Sequence, residues 1–422
     1  APKPLAEPRD ARFPFSLNTG RLRDQWHGMS RTGTLGRLYG HDAEPAIEMH
    51  VQDMARLGLK EGELARVASR RGAIVLPVRE SALQRPTQVY VPMHWGSEVL
   101  LGALMPHDQG AGGGGINSLT LPACCPQSRQ PELKHAAVRI TPAGLGWQLD
   151  CRVWLPADQA LTLREALRAL LQGLAYAACL PFGREADVPP QPAGAAGQPD
   201  PTTTPGLLGL ALRAAHATVP DAALLGALRR LLGLHGADML SYADTRRGEE
   251  RLLKPVPLAR REGSADPATP CRGLGAYWLA TTMAPDGAAA SATQRAARTA
   301  LLETWRGWLT PPAGGTSGAG WAGVLQPVPG VARDWLAPGQ APASVRPARA
   351  RQVCTCFDVD ELRILQLLST TPGSAAERLF QVQGELRCGT RCGSCLPALR
   401  SLVAGASPAT ATPVRADAAA AG

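Results

Sequence analysis

Cys354-Thr355-Cys356 and Cys392-Gly393-Ser394-Cys395 hold four of the chain's ten cysteines in a C-x-C and a C-x-x-C. Thiols two and three residues apart in a glycine-bearing loop can converge on one metal ion without straining the backbone. If Cys354 and Cys356 grip one metal atom and Cys392 and Cys395 grip another across two sulfides, the result is a 2Fe–2S cluster. A tetrahedral structural zinc fits the same four thiols, and spacing alone leaves the two level. A disulfide is disfavoured because C-x-C closes a very tight ring. Cys388, four residues before Cys392, has no partner in register and reads as a near-cluster thiol rather than a ligand.

The elements around the thiols read as a small metal-organised domain. Asp358 followed by Glu361 predicts a capping box and a helix to about Ser369. Ser374 followed by Glu377 predicts a second helix, ending at Gly384. Pro397 sits in the first turn of a third helix, whose positive end faces the thiolates. Free amides at Gly393 and Ser394 are positioned to donate to sulfur, which tunes a cluster's potential.

The run Val353-Cys-Thr-Cys-Phe357, a helical spacer, and Leu386-Arg-Cys-Gly-Thr-Arg-Cys-Gly-Ser-Cys-Leu-Pro397 resemble the bacterioferritin-associated-ferredoxin type of 2Fe–2S domain. It is the version appended to the carboxyl end of assimilatory nitrate reductases. The resemblance implies Cys354, Cys356, Cys392 and Cys395 as cluster ligands. It is also compatible with a thiol at Cys388.

At 422 residues and 45% hydrophobic content the chain can bury two or three cores. A net charge of +9 comes with only four lysines (Lys3, Lys60, Lys134 and Lys254), and the excess is arginine amid alanine, glycine and proline. No basic run interleaved with aromatics occurs, so no nucleic-acid partner is expected. No apolar stretch reaches the roughly 18–20 residues that span a bilayer, so no membrane span is expected either. The start at Ala1-Pro2-Lys3, without methionine, looks like a cut point. Clustered metal-type cysteines favour a reducing, cytoplasmic compartment.

In the amino-terminal third, a strand Phe13–Leu17 runs into Asn18-Thr19-Gly20-Arg21, where small residues allow close backbone approach to a ligand. Arg21, Arg23 and Arg31, beside Gln25 and His27, suit an anionic ligand such as a pyrophosphate; a surface loop capped by Thr19 explains them as well. A short helix is predicted from Glu48 to the C′ glycine Gly58. Leu64–Ser69 and Ala73–Arg79 read as a hairpin, and Thr87–Met93 as a strand entering His94-Trp95-Gly96. Gly112–Gly115 lack a strand–glycine–helix context and read as a flexible insertion. A closing strand is predicted around Val138–Ile140. Short strands with long crossings suit a compact β-barrel.

Asn18-Thr-Gly-Arg-Leu-Arg-Asp-Gln-Trp-His27, Met49-His50-Val51-Gln-Asp53, Val91-Pro-Met-His-Trp-Gly96, Asn117-Ser-Leu-Thr120 and Gln130-Pro-Glu-Leu-Lys134 are similar to the molybdopterin-dinucleotide-binding domain of molybdenum oxidoreductases. The likeness is nearest to assimilatory nitrate reductases and covers roughly residues 12–141. It implies a double-psi β-barrel that holds one molybdopterin guanine dinucleotide, a partial site for a bis-dinucleotide molybdenum centre. The implied contacts are Asn18, Thr19, Gly20, Arg21, Gln25, Trp26, His27, Gly28, His94, Trp95, Asn117 and Lys134. Gly28 departs from the usual threonine, the loop before Asn117 is longer, and Cys124-Cys125-Pro126 replaces an acidic-proline turn.

Residues 146–345 carry no defensible chemistry and read as a mixed, mostly helical connector, faintly similar to that of the same reductases. Helices are predicted at Leu161–Leu180, Pro220–His235 and Ser291–Leu309, with a hairpin at Met239–Asp244 and Glu250–Val256. Pro189–Pro205 is a proline-rich linker and Pro311–Arg351 a tether. Cys151, Cys179 and Cys271 read as core or surface thiols, and His216 and His235 lack partners at ligand spacing. The layout is therefore multidomain: barrel 12–145, connector 146–345, a small helical 2Fe–2S domain 350–404, and a disordered tail 405–422.

Two such ends in this order imply the carboxyl-terminal part of a nitrate reductase catalytic subunit, with electrons passing from the 2Fe–2S domain to molybdenum. The implied partners are the amino-terminal part with its 4Fe–4S and molybdenum domains, and a donor such as a flavoprotein subunit or ferredoxin. The fragment alone should not turn over nitrate. A stand-alone 2Fe–2S electron-transfer module and a zinc-stapled interaction protein remain open.

Overall fold

The computed structural model describes residues 4–30, 32–102, 115–130, 132, 135–183, 207–236, 239–257, 272–282, 292–309 and 350–406. Arg31, Gly112 to Gly114, Lys134, Cys271, the Pro189–Pro205 linker, most of the Pro311–Arg351 tether and the tail after 406 lie outside them.

Six strands close a barrel: β1 (Phe15–Gly20), β2 (Ile47–Met49), β3 (Leu64–Ala68), β4 (Ala73–Glu80), β5 (Gln88–Pro92) and β6 (Ala136–Pro142). Their order around it is β1-β5-β2-β4-β3-β6. β1 pairs β5 and β2 pairs β4 in parallel, while the remaining pairs are antiparallel. Alternating apolar residues such as Leu17, Ile47, Met49, Val67, Leu76, Val89 and Val91 fill the interior. The predicted hairpin and closing strand fall where expected, but β1 begins two residues later than Phe13 and carries Asn18-Thr19-Gly20 as strand rather than loop. The helix predicted from Glu48 splits into β2 and α1 (Val51–Leu57), capped by His50 at one end and by left-handed Gly58 at the other.

The connector corrects the expectation of mostly helix. Strands β7 (Trp147–Pro156), β8 (Tyr176–Phe182), β9 (Leu207–His216), β10 (Leu240–Asp244), β11 (Glu249–Pro257) and β12 (Arg272–Thr282) form one antiparallel sheet in the order β10-β11-β12-β7-β9-β8. Helices α2 (Ala157–Leu171) and α3 (Ala222–Leu231) share a core with Trp147, Leu149, Cys151 and Val153. The alternate residue Trp154 packs with α4 (Ala292–Leu309) on the other face. The predicted Leu161–Leu180 helix is thus a helix to Leu171 and then a strand. Every residue of β8 is buried, because Tyr176, Ala178 and Leu180 join the barrel core while Ala177 and Cys179 join the sheet core. A strand buried on both faces shows no alternation and reads like a helix.

A second compact unit spans Arg349–Gly422. A short ribbon of β13 (Gln352–Cys354) and β14 (Val359–Asp360) precedes α5 (Glu361–Thr370), α6 (Ala375–Leu386) and α7 (Leu396–Gly405). The first cap is Asp360, not Asp358, which instead takes a left-handed turn at φ 55°. Its side chain accepts from the Arg363 amide, which saturates one of the helix's orphan donors. The Ser374–Glu377 capping box is present. α6 runs past Gly384 to Leu386 and stops at left-handed Arg387.

Candidate functional site

The parallel pairing of β1 with β5 brings two loops out of the same end of the barrel. Gly20 lies opposite Pro92, and the Met93 amide donates to the Gly20 carbonyl at 2.8 Å. The loop after Gly20 and the segment His94-Trp95 therefore leave side by side. Asn117 is brought to the same end by a third link, since the Ile116 amide donates to the Trp95 carbonyl at 2.9 Å. The approach is so close that a Cβ on Gly115 would stand 2.2 Å from that carbonyl. Asn18, Thr19, Gly20, Arg21, His94, Trp95 and Asn117 thus gather at one mouth.

The gathered residues differ in what they can do. Gln25 is buried and staples the loop, accepting from the Thr32 hydroxyl at 2.6 Å and donating to the Leu38 carbonyl at 3.4 Å. Arg21 lies over the exposed Trp26 ring at 5.8 Å, so both present polar and aromatic surface to a ligand. Gly28 is left-handed, at φ 62°, with nothing within 4 Å of where a Cβ would be. Glycine adopts that conformation without the strain a side chain would add. Of His27 only the backbone is described.

His94 and Trp95 stand out energetically. Both are buried, and neither ring nitrogen of His94, nor Nε1 of Trp95, has a hydrogen-bond partner among the described residues. An unsatisfied buried polar group costs about 1–3 kcal/mol, so groups of this kind suit a ligand that engages them. Burial, then the Arg21 charge, hold the His94 imidazole below its ordinary value against the pull of Glu98, so it is neutral near pH 7. These orphaned donors and acceptors fit a polar dinucleotide at this mouth. Tyr176 is a further buried orphan that the sequence did not single out, because it sits on a strand misread as helix.

In the second unit the two thiol loops meet. The Cys356 and Cys392 sulfurs are 3.3 Å apart and exposed. Cys354, Cys388 and Cys395 are buried together in the unit's core, and Cys354 hydrogen-bonds both of the others. The contacts run across the two motifs rather than within each. Cys395 ends the turn before α7, with Pro397 in the first turn. The Cys392 backbone hydrogen-bonds the Cys356 sulfur, and the Ser394 hydroxyl lies 3.1 Å from the Cys392 sulfur.

Crowding raises these thiols. The Cys392 hydrogen bond raises Cys356, burial raises Cys388, and burial pushes Cys395 up to about 11. A metal cation between them reverses that sign and holds coordinating sulfur as thiolate. Among the described residues no three His, Cys, Asp or Glu side chains are arranged as a single-ion site. The pairwise arrangement of sulfurs fits a binuclear cluster, in which each iron takes two thiolates. Arg387 and Arg391 sit over the Phe357 ring at 4.7 and 5.1 Å beside the exposed sulfurs. Sequence reading missed that collar, although the i, i+4 spacing of the arginines was visible.

Comparison with known proteins agrees with both ends. Residues 15–137 match the molydopterin dinucleotide binding domain, and residues 352–404 match the BFD-like 2Fe-2S binding domain. The chain therefore carries one domain of each kind. It is similar to a nitrate reductase of Klebsiella oxytoca, 29% identical over 409 residues, covering 96% of this chain and 35% of that protein. A nitrate reductase of Synechocystis is 41% identical over 138 residues, covering 33% of this chain and 18% of that protein. A periplasmic nitrate reductase of Desulfovibrio desulfuricans is 33% identical over 141 residues, covering 33% of this chain and 17% of that protein. The chain spans about a third of the first relative's length. Among the described residues no helix is long and apolar enough to cross a membrane.

Proposed function

We propose that this chain is the carboxyl-terminal part of an assimilatory, cytoplasmic nitrate reductase catalytic subunit. In this reading a barrel at 12–145 holds one molybdopterin guanine dinucleotide, and 146–345 connects it to a 2Fe–2S domain at 350–404. The observation that carries the reading is one continuous likeness to a nitrate reductase over 96% of the chain, with the two cofactor domains in order at its ends. The mixed parallel and antiparallel pairing of the closed barrel supports the double-psi form.

When bound, an iron–sulfur cluster would supply single-electron transfer and a molybdenum centre would supply the chemistry that reduces nitrate to nitrite. The chain's own residues bind and orient. Asn18, Thr19, Gly20 and Gly28 bring backbone close to the dinucleotide. Arg21 and Trp26 face it from the loop, neutral His94 and Trp95 Nε1 meet its polar edge, and Asn117 adds a contact at the same mouth; Lys134, outside the described residues, is a further contact that the resemblance implies. Cys354, Cys356, Cys392 and Cys395 hold the cluster. A flavoprotein subunit or ferredoxin would dock as electron donor at the exposed Cys356–Cys392 side.

Anaerobic reconstitution of the chain with iron and sulfide tests this. Two irons and two sulfides per chain with visible charge-transfer absorption support it. One colourless zinc per chain replaces it with a zinc-stapled protein. A loaded cluster on a chain with no affinity for the dinucleotide leaves a stand-alone electron-transfer module.

A further inference from the structure

The exposed edge of the thiol site carries a charge pattern that sulfur ligation alone does not require. Arg387 and Arg391 are exposed, and their guanidiniums lie over one ring, Phe357, at 4.7 and 5.1 Å. Phe357 follows Cys356 and Arg391 precedes Cys392, so ring and charges border the two exposed sulfurs. The ring orients both guanidiniums, and neither forms an ion pair among the described residues. From Leu386 to Ala406 the chain carries Arg387, Arg391 and Arg400 and no Asp or Glu. Asp358, beside Phe357, is half-buried and accepts from the Gln352 side-chain amide at 3.2 Å. Arg387 also stands at the left-handed C-cap of α6, at φ 55°, where glycine is favoured. A cation is thus kept at a position where its backbone conformation costs more than a glycine's.

We propose that Arg387 and Arg391 form a docking collar for a small acidic one-electron protein. Carboxylates of that partner pair with the two guanidiniums and seat its redox centre against the Cys356–Cys392 side. The claim rests on the reading that these thiols hold a cluster, and deepens it by giving the donor's face a charge and this chain's face two named contacts. Guanidinium forks match carboxylates in shape as well as charge. Charges at the rim of an interface act mainly by steering and orienting the partner. A reduced partner seated there gives up one electron to the cluster, and no bond forms or breaks.

Calorimetric titration of the reconstituted full chain with an oxidised acidic 2Fe–2S ferredoxin, at low and high salt, tests it. Binding should weaken as salt rises. Arg387→Gln and Arg391→Gln should each weaken it about two- to fivefold and the pair together about tenfold, with a flatter salt dependence. Arg391→Lys should keep the salt dependence and lose part of the affinity. Visible absorption, and binding of GDP as the nucleotide half of the dinucleotide, should stay unchanged in all of these variants. Equal affinity for a basic cytochrome, or a double variant that binds the ferredoxin as well as wild type, overturns the proposal. A double variant with unchanged binding and a shifted reduction potential assigns the arginines to tuning the cluster instead. Loss of absorption or of GDP binding along with ferredoxin binding makes their role structural, which also overturns it. A wild-type chain that loads its cluster but ignores the ferredoxin keeps the cluster reading and loses the collar. A chain that takes up no iron yet binds the ferredoxin through these arginines keeps the collar and loses the cluster reading.

Discussion

The sulfurs of Cys356 and Cys392 lie 3.3 Å apart although 36 positions separate them in the chain. α5 and α6 fill that interval and fold back so that the C-x-C and C-x-x-C loops face each other. Both of these sulfurs are exposed, whereas Cys354 and Cys395 are buried. A cluster held by these four thiols would have Cys356 and Cys392 on its solvent side and Cys354 and Cys395 on its core side.

Cys392→Ser should abolish the visible absorption of the reconstituted protein, and so should the corresponding change at Cys354, Cys356 or Cys395. Cys388→Ser should keep most of the absorption. Cys388 is fully buried beside Cys354 and Cys395, so the serine leaves a hydroxyl in an apolar core and lowers stability by about 1–3 kcal/mol. Iron content and absorption per folded chain separate the two effects. Bleaching by Cys388→Ser at unchanged fold would transfer a ligand role to that residue.

Ser374→Ala removes the side-chain half of the capping box at the start of α6, because the Ser374 hydroxyl accepts from the Glu377 amide and donates to the Glu377 carboxylate, while the backbone amide at 374 still donates to that carboxylate. The expected loss is about 1 kcal/mol, or a melting temperature lower by about 4–8 °C for a unit of this size. Circular dichroism melts of the full chain read it, and the cluster's absorption spectrum at low temperature should not move.

Local signals carried far into this fold, and the places where they failed have physical causes. Hairpin β3–β4, strand β5, the helix-ending Gly58 and the Ser374 capping box all follow from short-range chemistry in the sequence. The strand β8 did not, because its burial on two faces depends on the barrel and the sheet meeting there. Asp358 and Asp360 both precede Glu361, and only the backbone turn at Asp358 decides that Asp360 is the cap. The thiol motifs were legible from spacing, while Arg378, buried and clamping the Leu368 and Ala406 carbonyls at the ends of α5 and α7, had no signal in its neighbours.

Asp150→Asn should unsettle the connector and change its response to acid. Asp150 accepts from the Tyr277 hydroxyl at 2.6 Å and pairs with Arg306 of α4 across the sheet. Burial is the largest single influence and works against its carboxylate, but Arg306, Arg152, the Tyr277 hydroxyl and Arg213 together outweigh it, so its pKa lies below the ordinary 3.8. The stabilisation is therefore full above about pH 4 and is lost as pH falls through the lower folded value. The variant should lose about 1–2 kcal/mol near neutrality, less than a fully buried pair would cost, because the Arg306 side chain is 36% exposed and water screens it. Melts between pH 7 and 3 should show wild type and variant converging at the acid end, and a constant gap would refute the assignment.

Gly115→Ala tests whether Asn117 is delivered to the barrel mouth by the Trp95 link. Gly115 has φ 52°, and its added Cβ would meet the Trp95 carbonyl. The substitution should cost about 1–3 kcal/mol and weaken GDP binding together with stability. Asn117→Ala, which leaves the link intact, should weaken binding with little change in melting temperature.

His94→Phe should separate binding from folding most cleanly. The imidazole is 3% exposed and neither nitrogen has a partner among the described residues, so the folded chain carries an unmet desolvation cost at this position. A phenyl ring of similar shape removes that cost, and melting temperature should hold or rise. The same change removes the group that meets the dinucleotide's polar edge, so GDP affinity should fall by about tenfold or more. A stabilised chain that binds less well is the signature of a residue kept for its ligand, as buried orphans at functional sites are. Loss of both stability and affinity would instead make His94 a packing residue whose partner lies outside the described chain, and the polar-edge contact would have to be reassigned to Trp95.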